Sequence, residues 1–220
     1  MTASGHVEPG GPALVTDLGG GVQLSKLSVG PMDNNAYLLV AGGDAILIDA
    51  ANDDDRLLAL IGNRSLSSIA TTHRHGDHIQ ALADVAEATG ARLVAGQPDV
   101  ESIERDAGVS SVVGVWDGDT VALGDTTLEV IGLVGHTPGS ITLAYAPADE
   151  AVHLFTGDSL FPGGPGKTWR AGDFTSLMDD LESKIFGRFD DDTVVHPGHG
   201  DDTTLGTERP RLAEWRARGW

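Results

Sequence analysis

One stretch constrains this chain more than any other: Thr72-His73-Arg74-His75-Gly76-Asp77-His78. Three imidazoles and one carboxylate fall within six residues. His73 and His75 stand two apart, so an extended backbone aims both rings to the same side. Gly76 then lets the chain turn, and Asp77 and His78 follow where a helix is expected to begin, aimed at an adjacent point. The stretch reads as one metal ion held by His73 and His75, with a second beside it touched by Asp77 and His78.

Two ions need further ligands, and three apolar runs end in them. Residues 127–134 lead into Gly135-His136-Thr137-Pro138-Gly139-Ser140, where Pro-Gly predicts a type II turn. Residues 152–156 lead into Gly157-Asp158-Ser159, whose carboxylate either organises a turn or bridges two metals. Residues 194–196 lead into Pro197-Gly198-His199-Gly200. Strand-end loops are where folds usually carry chemistry. His136, Asp158 and His199 therefore join the cluster as donors, leaving positions open for water. His196 is read as a core or supporting residue, His153 as packing or surface, and His6 as part of a tail.

Composition narrows the chemistry. The chain has no cysteine, which excludes disulfides, thiolate ligands and a cysteine nucleophile. Imidazole and carboxylate ligands suit zinc, iron or manganese. The formal charge of -19 argues against nucleic acid and anionic membranes as partners. No apolar run reaches the roughly 18 residues of a membrane span. Residues 1–21 lack a basic start followed by an apolar block, so a flexible tail and a cytoplasmic location are expected.

Patterning predicts a half-buried strand over 22–29, a turn over 30–35, and hairpin strands over 36–40 and 45–49. A helix over 53–61 follows, then a strand over 68–72 that delivers the histidines. Helices are expected over 77–87, stopped by Gly90, and over 98–106, with a strand over 92–95 between them. Strands are expected over 120–123, 127–134, 141–145, 152–156 and 193–195. The stripe Phe174, Leu177, Met178, Leu181, Ile185 and Phe186 marks an amphipathic helix, and 209–218 a terminal one. The expected architecture is one α/β domain over 1–220, two packed sheets with helices outside, ending in a short helical tail over 201–220.

The order His-x-His-x-Asp-His, lone His, Gly-Asp, Pro-Gly-His-Gly resembles the metallo-β-lactamase-fold hydrolase superfamily, over roughly residues 22–200. Within it, Thr156-Gly157-Asp158-Ser159-Leu160-Phe161 followed by Gly164-Pro165-Gly166-Lys167 is similar to glyoxalase II, the hydroxyacylglutathione hydrolases. The resemblance implies a four-layer αβ/βα sandwich with the metals at one edge between the sheets. It implies a first site of His73, His75 and His136, a second of Asp77, His78 and His199, and Asp158 bridging, with Asp49 in support. Asp77 and Asp158 become the catalytic carboxylates. Lys167 falls where the family contacts a substrate carboxylate.

The implied function is hydrolysis of a thioester or related small ester by a metal-bridging hydroxide, with two divalent ions, zinc foremost. The implied partner is a small-molecule substrate; the oligomeric state is not implied. Asp158 stands where class B1 β-lactamases use cysteine, which disfavours that activity. Glyoxalase II has a longer helical C-terminal region, whereas only about twenty residues follow His199 here, including Trp215 and Trp220. The alternatives are an iron persulfide dioxygenase using His73, His136 and Asp158, a lactonase, or a non-catalytic metal-binding module. Tyr37 and Tyr145 are the only tyrosines, and neither follows Asp158 as a lactonase would suggest.

Overall fold

The computed structural model describes residues 5–219. Seven strands form the first sheet, side by side in chain order: β1 (Leu14–Asp17), β2 (Val22–Val29), β3 (Asn34–Ala41), β4 (Asp44–Ile48), β5 (Ser65–Thr71), β6 (Arg92–Gly96) and β7 (Val113–Val115). β1 to β4 pair antiparallel, and β4 to β7 pair parallel. Parallel neighbours need crossovers, which include helices α1 (Asp54–Ile61), α2 (Leu82–Thr89) and α3 (Val100–Ala107). β4 is apolar without alternation because both its faces are buried. Ala45 and Leu47 pack with Leu57, Leu82 and Ile103 of the helices, while Ile46 and Ile48 pack with the second sheet.

The second sheet takes β8 (Thr120–Leu123), β9 (Thr126–Gly132), β10 (Ile141–Tyr145) and β11 (His153–Gly157). A two-stranded hairpin follows, β12 (Leu160–Phe161) with β13 (Gly164–Pro165). β14 (Val194–Pro197) and β15 (Thr203–Thr204) then complete the second sheet beyond β11. Its outer face is covered by α4 (Ala171–Asp180), which runs into a π-helical stretch Leu181–Phe186, and by α5 (Leu205–Glu208) and α6 (Leu212–Arg218). Phe174, Leu177, Ile185 and Trp215 pack there against Ile131, Leu154 and Val195. The result is the expected helix–sheet–sheet–helix sandwich. Among the described residues no helix is long and apolar enough to cross a membrane.

Several expectations need correction. The tail expected over 1–21 is ordered in its later part: β1 pairs with β2, and Val7 and Leu18 are buried. Residues 1–4, and Trp220 at the other end, lie outside the described residues. β2 is buried along almost its whole length, because β1 and β3 flank it and Asp202 partners its Lys26. Asn34 and Asn35 belong to β3, not to a turn, since their side-chain amides bond across to Asp77 and to the Pro197 and Gly200 carbonyls.

The helix expected from Asp77 is a 3-10 turn, Gly76–His78, with α2 starting at Leu82. The amides of Gln80 and Ala81 bond instead to the Ala51 and Ala50 carbonyls. Gly139 lacks the positive φ that a type II turn requires. The C-terminal segment begins with strand β15 before its helices, and Trp215 is fully buried in the outer core.

His153 packs as expected, buried and stacked on His196. Burial, with His196 beside it, lowers its pKa to about 4 from 6.5. The unfolded chain therefore takes up this proton more readily than the folded one. The resulting stability is complete above pH 6.5 and lost as pH falls toward 4. The loss across that window is expected to be about 2–3 kcal/mol. Urea denaturation at about pH 7.5 and about pH 4.5 measures it, and the difference should shrink in His153→Leu.

Candidate metal centre

The donors sit where the two sheets meet. β5 ends at Thr71, and the chain leaves it extended, carrying His73 and His75 with ring centroids 4.8 Å apart. The 3-10 turn presents Asp77 and His78. The loops after β9, β11 and β14 bring His136, Asp158 and His199.

Every residue singled out as a metal ligand reaches this place. His73, His75 and His136 form one group of atoms within 4.8 Å of one another, and Asp77, His78 and His199 form another. Asp158 shares a third such group with His73 and His78, one residue from each. Its Oδ2 lies 3.6 Å from His136 Nε2 and 3.5 Å from His199 Nε2, while its Oδ1 lies 3.4 Å from His78 Nε2.

The tautomers follow from the hydrogen bonds on the far side of each ring. His136 Nδ1 donates to the Lys167 carbonyl at 2.7 Å, and His199 Nδ1 to the Met32 carbonyl at 2.9 Å. His78 Nδ1 donates to Asp49 Oδ2 at 2.9 Å. With Nδ1 committed, each ring turns Nε2 inward, and that atom offers a lone pair whenever the ring is neutral. His78 Nε2 and His199 Nε2 are 3.2 Å apart, and His136 Nε2 and His73 Nε2 are 3.3 Å apart. Two lone pairs at that distance repel, and either one proton shared between the rings or a bound cation relieves the repulsion. Asp158 Oδ1 is buried with no hydrogen-bond partner. Converging nitrogen lone pairs beside carboxylate oxygens are the donor set that suits a divalent transition-metal ion.

The charges divide between the two donor groups. Burial is the main cause that lowers the pKa of His73, His75 and His136, keeping them neutral. Burial opposes charge on His78 too, but Asp49 and Asp158 outweigh it and push it up to about 10. Asp158 and Asp77 do the same for His199, also to about 10. Burial likewise opposes charge on Asp158 and Asp77, yet His199 and His78 hold both carboxyls below their ordinary range. The carboxylates of Asp49, Asp77 and Asp158 thus favour positive charge at His78 and His199, carried by protons that a bound cation would displace.

Asp49, a positive-φ residue just past β4, is buried beneath the cluster. It accepts from the Thr72 amide at 2.7 Å and the Thr72 hydroxyl at 2.8 Å as well as from His78. Gly198 lies so close that a Cβ there would come within 2.1 Å of Asp158 Oδ1. Asp99 was missed by sequence reasoning. Fully buried, it accepts from the Arg74 amide at 3.1 Å, the Thr137 hydroxyl at 2.5 Å and the Gly139 amide at 3.1 Å. It thereby ties the His73–His75 segment to the His136 loop. Nothing local in the sequence marks it, because its partners lie about 25 to 40 positions away.

A cavity of about 310 Å³ opens beside His136, lined among others by Arg74, Pro138, Trp169 and Arg170. Lys167 is exposed, with its ammonium 4.4 Å from the Trp169 ring centroid. Trp169 in turn lies edge-on to His75, with centroids 6.3 Å apart.

The sandwich and its edge site define a class, and residues 29–199 match the family model of the metallo-beta-lactamase superfamily. The chain belongs to that superfamily. It is similar to a hydroxyacylglutathione hydrolase of Anaeromyxobacter dehalogenans, 37% identical over 169 residues, covering 76% of this chain and 61% of the relative. The chain thus spans about three fifths of that relative's length. Among solved structures it resembles ETHE1 from Myxococcus xanthus, with TM-score 0.73 and 29% identity over 87% of this chain and 84% of that one. It also resembles TTHA1623 in a di-iron-bound form, with TM-score 0.70 and 29% identity over 84% of this chain and 96% of that one.

Proposed function

We propose that the chain is a metal-dependent hydrolase that cleaves a small thioester or related ester with two divalent ions. One ion is held by His73, His75 and His136, the other by Asp77, His78 and His199, and Asp158 serves both. The observation that carries the reading is the inward convergence of imidazole Nε2 atoms whose Nδ1 positions are already committed to acceptors. Ions bound there lower the pKa of water toward neutrality and polarise a carbonyl oxygen.

The protein's own residues do the rest. Asp77, held by the Asn34 amide at 2.9 Å, and Asp158 orient the attacking water. The substrate lies in the cavity beside His136, flanked by Arg74, Trp169 and Arg170. Lys167 contacts a substrate carboxylate at its edge. The likeness to a hydroxyacylglutathione hydrolase supports a thioester as the substrate class.

Elemental analysis and a thioester assay test this. The purified chain is expected to hold two divalent ions, with zinc foremost. Chelation should abolish hydrolysis, and zinc, manganese or iron should restore it. Activity that persists after complete metal removal contradicts the proposal.

A second reading is a mononuclear iron dioxygenase acting on a persulfide through His73, His136 and Asp158. It is favoured by the likeness to ETHE1. One iron per chain, with oxygen consumption on a glutathione persulfide, would establish it in place of the first.

A further inference from the structure

Lys26 sits in the middle of β2 with 1% of its side chain exposed. Among the described residues it is the only buried lysine or arginine. Its ammonium meets Asp202 Oδ1 at 2.8 Å and the Gly200 carbonyl at 2.7 Å. Taking two charges out of water is costly, and an apolar pair of similar volume is often as stable or more so. Stability alone gives no reason for a lysine here.

What the ammonium holds does give a reason. Gly200 adjoins His199, and Asp202 follows three residues on. Other donors of the first sheet converge on the same loop. Asn35 Nδ2 donates to the Pro197 and Gly200 carbonyls, each at 3.0 Å, and the Tyr37 hydroxyl donates to Pro197 at 2.6 Å. Asp202 Oδ2 is also 3.0 Å from His196 Nδ1, and His196 Nε2 is 3.0 Å from His153 Nδ1. The His199 ring, by contrast, has two contacts outside the donor cluster: the Met32 carbonyl at 2.9 Å and, more weakly, the Asn34 amide at 3.5 Å. The position of its loop backbone therefore sets where the ring stands between those two contacts.

We infer that Lys26 is a positioning residue: with Asp202 it clamps residues 197–200 so that His199 completes the donor group of Asp77 and His78. The inference rests on the proposed metal centre, and it concerns the second ion only. His73, His75 and His136 lie on other loops.

Two readouts test it in the full chain: hydrogen–deuterium exchange at Gly198 and Gly200, and zinc titration of the metal-free protein. Those two amides bond to the Gly157 carbonyl at 2.8 Å and the Asp33 carbonyl at 3.2 Å. In Lys26→Met their exchange is expected to rise about tenfold or more while β4 keeps its rate. Affinity for the second zinc ion should fall about 10–100-fold, with the first unchanged.

Because the chain has no cysteine, rescue is specific. Lys26→Cys, alkylated while unfolded with 2-bromoethylamine and refolded, regains an ammonium at nearly lysine length and should regain both properties. Alkylation with iodoacetamide should not restore them. If Lys26→Met fails to fold, Tyr37→Phe, which removes one bond to Pro197, should shift both readouts the same way by less. Unchanged exchange at Gly198 and Gly200, or equal weakening of both ions, overturns the inference. A wild-type chain that binds no zinc overturns the metal reading, and the exchange data then judge the clamp alone.

Discussion

Replacing Asp158 with alanine is expected to strip the centre of at least one ion and to lower metal affinity by more than about 100-fold. Even residues that only hold a ligand in place typically cost 10–100-fold, and Asp158 stands among the proposed ligands themselves. Its two oxygens lie within 3.4–3.6 Å of His78, His199 and His136, with Oδ2 next to a member of each donor group. Without it, the converging imidazoles lose the negative charge between them. Thioester hydrolysis should fall with the metal, by at least about 100-fold. Metal content after dialysis, measured beside the wild type, decides the matter. Two ions retained in Asp158→Ala would show that this carboxylate does not bridge.

The second large effect is expected one layer deeper. Asp49→Asn keeps the shape of the side chain but removes its charge and turns one acceptor into a donor. Asp49 accepts three hydrogen bonds, two from Thr72 and one from His78 Nδ1. An amide oxygen and nitrogen cannot receive all three. The unfolding free energy should drop by about 2–4 kcal/mol, as for a buried charged hydrogen-bond partner removed. The His78 ring loses the acceptor that fixes its tautomer, so affinity for the second ion should fall about 10–100-fold. Thermal unfolding of the metal-free form separates the first effect from the second. A normal melting temperature with normal zinc affinity would mean that Asp49 merely fills space.

Both predictions concern residues that the chain order already marked. The cluster His73, His75, Asp77 and His78 is legible because its donors are neighbours in sequence, and local backbone geometry is enough to aim them. His136, Asp158 and His199 are legible because each follows an apolar strand and a glycine-rich turn, and the fold brings strand ends to one edge. The core is legible for the same reason. Runs such as Ala45–Ile48 have apolar residues on both faces, which only a strand buried between layers tolerates.

Other features had no local signature. Asn34 and Asn35 have the composition of a turn, yet they lie in β3 because their amides find partners more than 40 and 160 positions away. Asp99 looks like an ordinary residue near a helix start, and Lys26 like a surface lysine on a half-exposed strand. Each is buried because a distant carboxylate, carbonyl or hydroxyl satisfies it, and such pairings leave no trace in spacing or periodicity.

The sequence by itself determined the kinds of donor, their order along the chain and the layered sandwich, since these follow from side-chain chemistry and short-range periodicity. Only the tertiary structure decided which ring nitrogen faces inward and that Asp158 Oδ2 lies beside members of both donor groups. It alone shows which buried polar residues hold the loops in register. Those properties depend on hydrogen bonds between residues far apart in the chain, and such bonds exist only once the two sheets have closed on each other.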